Sequence, residues 1–326
     1  MEEHILVVGG AGYIGSHVNK LLNKKGYSTI VYDNLSSGYK EFVKWGHFIE
    51  GDINDVPKLR KLFSKYNIIA VFNFAGLINV GESVSEPEKY YYNNLQGALS
   101  LLGVMNEYGC KNFIFSSSCA VYGVPEYLPL DEKHQRFPVN PYGRTKLMVE
   151  QALEDYGNAY GLKFVALRYF NASGADFEIE LGEAHVPETH LIPLVLDAAF
   201  GLRDSIKVFG TDYNTKDGSA IRDYIHVVDL ADAHLKAFEY LVAGGQSDFF
   251  NLGNGNGFTV FEIVETVEKA LNIKIKKEYA PRRLGDPDIL VGCALKAEKI
   301  LSWKPEFDLK AIITTAIDWH KKKYRL

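Results

Sequence analysis

The stretch HILVVGGAGYIGSH, residues 4–17, constrains the fold of this chain more than any other. An apolar, strand-like run ends in a glycine cluster. The cluster opens a helical pattern, GSHVNKLLNKKG, with a natural stop at Gly26. The glycines carry the spacing Gly10-x-Gly12-x-x-Gly15, overlapped by Gly9-x-x-Gly12-x-x-Gly15. Glycine spacing alone means little. Between a strand and a helix it marks a turn where backbone can approach a pyrophosphate and the helix N-terminus stabilises its charge. The next strand-like run, STIVYDN, ends on Asp33, close to the distance at which a dinucleotide fold places an acidic residue. That carboxylate accepts ribose hydroxyls and would repel a 2′-phosphate, which favours NAD over NADP.

The rest of the first half continues the rhythm. HFIEGDI, IIAVFNFAG, KNFIFSSS and KFVALRYFN read as strands, separated by helical patterns near 55–66, 86–108 and 141–160. Apolar runs without polar alternation suggest strands buried on both faces, and their alternation with helices implies a parallel sheet. The expected fold is α/β: a doubly wound, Rossmann-type parallel sheet over residues 1–171, with a smaller C-terminal α/β lobe over 172–326, some of whose elements can return to the first domain. Past residue 172, ASGADFEIELGEAHVPETH and FGTDYNTKDGSAIRD are polar, glycine-containing stretches too irregular for continuous strands or helices. In NLGNGNGFTVFE, Thr259 and Glu262 are placed as a capping box, and the glycines read as a tight structural connection.

Composition removes several function classes. A net charge of −5 does not suggest nucleic-acid binding, and the terminal KKKYRL reads as a solvated helix end. No apolar run approaches membrane-spanning length, and the acidic start MEEH running into a strand is not a secretory leader. Three cysteines without C-x-x-C spacing suit a reducing, cytoplasmic compartment. The nine histidines show no metal-ligand spacing, so no metal site is expected, and His226 and His234 read as structural.

The chemistry-bearing signal is VNPYGRTKLMVEQ, residues 139–151. Asn140-Pro141 is a helix-start signal, and Tyr142 and Lys146 then lie on one face, about 6 Å apart along the axis. Among 20 tyrosines, Tyr142 alone has lysine at the fourth following position. The strand ending FIFSSS brings Ser116, Ser117 or Ser118 to the same side. In a Ser-Tyr-Lys trio beside a nicotinamide, a phenolate removes a hydroxyl proton while hydride leaves the same carbon. Lowering a tyrosine from pKa 10 to 7 takes about 4 kcal/mol, which Lys146, the oxidised nicotinamide and the helix N-terminus would supply together. Asp52, after the third strand, is placed to reach the adenine, and Ala75-Gly76 leaves room for the cofactor.

These residues, with DNLSSG, GDI, FAGL, VGESV, YYNN, FSSSCAVYG, LRYFNASGA, VFGTDY, RDYIHVVDLADAH, NLGNGNG and RRLGDP, resemble the extended short-chain dehydrogenase/reductases. Within them, the chain is most similar to the UDP-glucose (UDP-galactose) 4-epimerases, almost end to end. The resemblance implies inversion of a UDP-hexose at carbon 4 through a transient 4-keto sugar, with tightly bound NAD. It implies Tyr142 as base, Lys146 on the nicotinamide ribose and Ser118 on the substrate hydroxyl. Around NAD it implies Gly9, Gly12, Tyr13, Ile14, Gly15, Asp33, Asn34, Asp52, Ile53, Phe74, Ala75, Gly76, Leu77, Asn93, Ser116 and Phe170. For the UDP-sugar it points to Asn171, Leu191, Phe209, Arg222, Tyr224, Arg283, Asp286 and Leu290. Arg222 and Arg283 suit a diphosphate, being permanently charged planar donors. A homodimer through the helices near 86–108 and 141–160 is also implied.

The chain departs from the pattern in places. Val8 stands where the fingerprint often has Thr, Ile78 where the family often has Lys, and His190 where part of the family has Asn. Leu290 falls where the family walls the sugar pocket, often with Tyr or Cys, so an N-acetylhexosamine is expected to fit. The related dehydratases carry an acidic pair after the serines, and here those positions are Cys119 and Ala120. A dehydratase or decarboxylase of the same fold, and a non-catalytic NAD sensor, are the rival readings.

Overall fold

In the computed structural model, which describes residues 2–283 and 286–325, the first strand β1 (Glu3–Val8) runs into helix α1 (Tyr13–Lys24) through the glycine turn. The chain continues through β2 (Thr29–Asp33), β3 (His47–Glu50), α2 (Val56–Lys65) and β4 (Asn67–Asn73). Then come α3 (Val80–Ser85), α4 (Pro87–Tyr90), α5 (Gly97–Glu107), β5 (Asn112–Ser118), α6 (Pro141–Tyr160) and β6 (Lys163–Tyr169). Helix starts are local. Asp55 accepts from Lys58 N at 3.0 Å, and Asn140 accepts from Gly143 N at 2.8 Å with Pro141 next to it.

The 86–108 pattern is not one helix. Between α4 and α5, Tyr91–Gln96 widens into π-type turns. The buried Asn94 in that widened segment receives Leu77 N at 2.8 Å and donates to Leu77 O at 3.0 Å, bracing the loop after β4.

The second half adds β7 (Asn171–Ser173), α7 (Leu191–Ala199), β8 (Ile206–Phe209), β9 (Ile221–Arg222), β10 (Tyr224–His226), α8 (Val227–Val242) and β11 (Asp248–Leu252). It closes with β12 (Phe258–Thr259), α9 (Val260–Leu271), β13 (Lys277–Ala280), β14 (Ile289–Leu290), α10 (Leu295–Leu301) and α11 (Leu309–Tyr324). Thr259 and Glu262 form the reciprocal capping box at α9. Three backbone N–H groups around the NLGNGNG turn, from Asn254, Gly255 and Gly292, converge on the Asp223 carboxylate, so the turn is a structural tie.

Seven strands form one parallel sheet in the order β11-β6-β5-β4-β1-β2-β3. The chain leaves β1 toward β2 and β3, then returns on the other side of β1 with β4. That reversal opens a crevice beyond the carboxyl ends of β1 and β4. Alternate strand residues enter different cores, which explains the unbroken apolar runs. Ile5, Val7, Val31, Phe72 and Ile114 pack with α1 and α8; Leu6, Val8, Ile30, Val71 and Phe113 pack with α2, α5 and α6. The chain leaves the seven-stranded sheet at Tyr169, the end of β6; β11 rejoins it, and α8 and Trp303 pack on it. A third core joins α7, β8, α9 and α11. Among the described residues no helix is long and apolar enough to cross a membrane.

Candidate active site

The three serines ending β5 divide the work of holding α6. The Ser116 carbonyl accepts from Lys146 Nζ at 2.7 Å, while its hydroxyl pairs with the Tyr169 hydroxyl. Ser117 donates to Glu150 Oε1 at 2.7 Å. The Ser118 hydroxyl accepts from Ala120 N at 3.2 Å. A Cβ on Gly143 would lie 2.4 Å from the Ala120 carbonyl, so only glycine lets the first turn of α6 press against this loop. That contact brings Tyr142 to Ser118.

Burial pushes the Tyr142 phenol up to about 12, opposed by the Ser118 hydroxyl. Burial pushes Lys146 down to about 8, opposed by the Glu150 carboxylate. The ammonium sits on the Ser116 carbonyl, 5.9 Å from the Tyr142 ring centre, so within the chain Ser118 is the group that favours the phenolate. Burial is the largest influence on Tyr142, and a positive charge brought beside it would oppose that burial.

The dinucleotide end has open donors. Gly12 begins α1 without a side-chain cap, so first-turn N–H groups near Tyr13, Ile14 and Gly15 face the crevice unblocked. Gly9 has φ +76°, and a Cβ there would lie 2.5 Å from Ala75 N. The Asp33 carboxylate accepts from Ala11 N at 2.9 Å and Leu35 N at 2.8 Å, and its oxygens keep lone pairs for a ribose. Asp52 accepts from Asn34 Nδ2 at 2.8 Å. Gly76 faces Lys146 Nζ and Asn94 Oδ1, 3.5 and 3.6 Å from where its Cβ would be, leaving a passage toward the serines. This donor set fits NAD. Other residues expected there are less free: Ile53 is wedged against Gly97, Phe74 packs on the His234 ring at 4.8 Å, and Asn93 donates to Asn94. The Tyr13 hydroxyl donates to Gly174 O at 2.6 Å, leaving its backbone for the turn.

Opposite lies the second-half contribution. Arg222 pairs with Asp286 at 2.6 Å, and the Arg283 guanidinium lies 4.1 Å over the Phe209 ring. Leu290 is paired to Arg222 across β9 and β14, and with Phe170 it packs on the cluster of Cys119, Val121 and Tyr122. Asn171 spends a donor on Asp223 O at 2.7 Å, and Leu191 opens α7. Tyr224 departs from expectation: it lies in the third core with Ile192 and Val195, because alternation along β10 turns it inward. Of the RRLGDP motif, Leu284 and Gly285 lie outside the described residues.

Residues 5–253 match the model of the NAD dependent epimerase/dehydratase family. A UDP-glucose 4-epimerase of Rhizobium meliloti (strain 1021) is 52% identical over 320 residues, covering 98% of both chains. The chain belongs to the UDP-glucose 4-epimerases. A solved UDP-glucose 4-epimerase of Brucella ovis in complex with NAD superposes with TM-score 0.95 at 49% identity, covering 98% of both chains. One from Stenotrophomonas maltophila, with bound NAD and formylated UDP-arabinopyranose, gives 0.96 at 36% identity over 99% of both.

Several groups of this epimerase-family chain escaped sequence reasoning. Glu150 is fully buried and holds Arg168 through two bonds, 2.8 and 2.7 Å, behind Lys146. Tyr169 and Asn94 brace Ser116 and Leu77. Glu150 follows Lys146 by four residues, a helical-face signal that was available. The others depend on distant chain segments. The structure also gathers Glu183, His185, Glu188 and His190, although their spacing matches no ligand motif.

Proposed function

We propose that this protein interconverts UDP-glucose and UDP-galactose at carbon 4, with Tyr142 as base, Lys146 and Ser118 as its partners, and NAD in the crevice above β1 and β4. The observation that carries this reading is the meeting of Tyr142 and Lys146 with the serines at the end of β5, beside the glycine turn. When bound, NAD supplies a reversible hydride acceptor beside carbon 4. The glycine turn, Asp33, Asp52 and the Gly76 passage hold it, as the NAD complexes of the relatives support. Tyr142 takes the 4-hydroxyl proton and later returns it, and Ser118 orients the oxygen. Arg222 and Arg283 hold the diphosphate, with Asp286 setting the Arg222 fork and Phe209 the Arg283 plane. Inversion requires the hexose to present its opposite face to the same residues. A clamp on the diphosphate permits this, because it leaves the sugar free to turn about its link.

Incubation with UDP-galactose tests this. The expected product is UDP-glucose. A dehydrated keto sugar would mean a dehydratase, and unchanged substrate with NAD bound would mean a non-catalytic binder. Leu290, beside Phe170, also supports acceptance of UDP-GlcNAc, and absence of its turnover at saturating concentration would overturn that extension.

The exposed apolar residues Val80, Val84, Tyr92 and Met148 on α3 to α6 support the homodimer reading, and light scattering reads its mass. The three cysteines carry no disulfide, which supports a reducing, cytoplasmic setting.

A further inference from the structure

The segment Glu183-x-His185-x-x-Glu188-x-His190 repeats a Glu-x-His step in irregular chain between β7 and α7. In extended backbone, residues two apart point to the same side, so each step presents a carboxylate and an imidazole together. The two steps converge, with ligand-type atoms from all four side chains within 4.8 Å of one another. His185 Nδ1 lies 3.1 Å from Glu183 Oε1 and 4.0 Å from Glu188 Oε2. His190 Nδ1 lies 2.5 Å from Glu183 Oε1 and 3.3 Å from Glu188 Oε1. Four ligands at about 2.0–2.2 Å from a tetrahedral ion stand about 3.3–3.6 Å from one another. The observed separations bracket that edge.

Ion pairing alone does not account for the cluster. Each Nδ1–H can serve one carboxylate oxygen, so two histidines cannot serve all four of these Nδ1–carboxylate contacts. Glu188 Oε2 is buried without a hydrogen-bond partner. Unbonded buried polar atoms are costly unless something else engages them. The Glu188 carboxylate is already aimed, since Thr189 N and His190 N donate to its Oε1, and the Trp319 indole holds the Glu183 backbone through its carbonyl.

We propose that Glu183, His185, Glu188 and His190 bind one divalent transition cation of the zinc class. Two imidazoles and two carboxylates suit zinc, and their two negative charges neutralise it. The site is structural: His185 packs against Tyr13 at the start of α1, and His190 immediately precedes α7, so the cation fastens this segment behind the dinucleotide turn. It lies apart from the Tyr142–Lys146 turn and needs no part in the proton transfer there.

The test uses the full chain, stripped with a chelator, dialysed and titrated with zinc chloride against a chromophoric zinc chelator. One zinc per chain is expected, and the His185→Gln, Glu188→Gln double variant should bind at least about 100-fold more weakly. Cobalt(II) should give the intense visible bands of a tetrahedral site in the wild type only. The single variant His185→Gln, at a partly exposed position, keeps the test alive where the double variant does not fold. Binding of less than one-tenth equivalent at saturating zinc would overturn the proposal. So would wild-type zinc affinity in a folded variant, since the zinc would then sit elsewhere.

Discussion

The first turn of α6 and the segment from Glu183 to His190 both cover ionisable side chains, but differ in what opposes the burial. At α6 the neighbours of Tyr142 and Lys146 are mostly neutral oxygens, and burial wins: the phenol rises to about 12 and the ammonium falls to about 8. In the other cluster burial also works against charge, yet opposite charges outweigh it. His190 rises to about 10 beside Glu183 and Glu188, and Glu183 falls to about 2 beside His190 and His185. The difference separates a site open to any charged ligand from one already neutralised within the chain. A group left uncompensated by the protein shifts readily when a charged ligand arrives, whereas the compensated cluster keeps its protons until a cation of higher charge displaces them.

The sharpest way to break this contrast is Tyr142→Phe, which removes the one group whose proton must move. Turnover of UDP-galactose should fall by about 10³-fold, with NAD still released on denaturation in stoichiometric amount. Near-normal turnover would sink the assignment of Tyr142 as base.

Glu150→Gln probes the one carboxylate that favours the charge on Lys146. It leaves buried Arg168 without its counter-charge, so stability should drop by about 3 kcal/mol in urea unfolding. Lys146 should also lose its proton at lower pH, moving the alkaline limb of the activity profile downward, and Glu150→Asp should restore part of that limb. An unshifted limb would mean that Glu150 acts on packing alone.

The smallest effect is one buried histidine's share of the pH dependence, among histidines that no carboxylate hydrogen-bonds. Burial depresses His17 and His234 to about 4 and His226 to about 3. A depressed folded pKa means the stability they contribute is present above the unfolded value of about 6.5 and is lost as pH falls toward 4, by up to about 1.4 kcal/mol per pH unit for each. The urea midpoint should therefore decline from pH 7 to pH 5, and His234→Gln should flatten that decline by one histidine's share. An equally steep decline in the variant would show that His234 does not titrate across folding.

Legibility followed sequence separation. Asn140, Pro141 and the Tyr142–Lys146 step were readable because one helix's geometry relates them, and the Thr259–Glu262 box for the same reason. The 86–108 pattern misled because a π-type widening leaves the apolar period nearly unchanged while it redirects Asn94. Tyr224 misled because its motif neighbours point to the crevice, while strand alternation turns it into a core.

By itself, then, the sequence determined the parallel sheet, its glycine turn and the helix that carries the tyrosine–lysine step, since backbone propensity, capping and apolar period are properties of neighbouring residues. Only the tertiary structure decided that Lys146 rests on the Ser116 carbonyl, that Glu150 holds Arg168, and that two Glu-x-His steps meet behind the dinucleotide turn. Those outcomes depend on burial and on which distant charges share a cavity. Both are set by how β5, α6 and the segment before α7 pack together, and no local period records them.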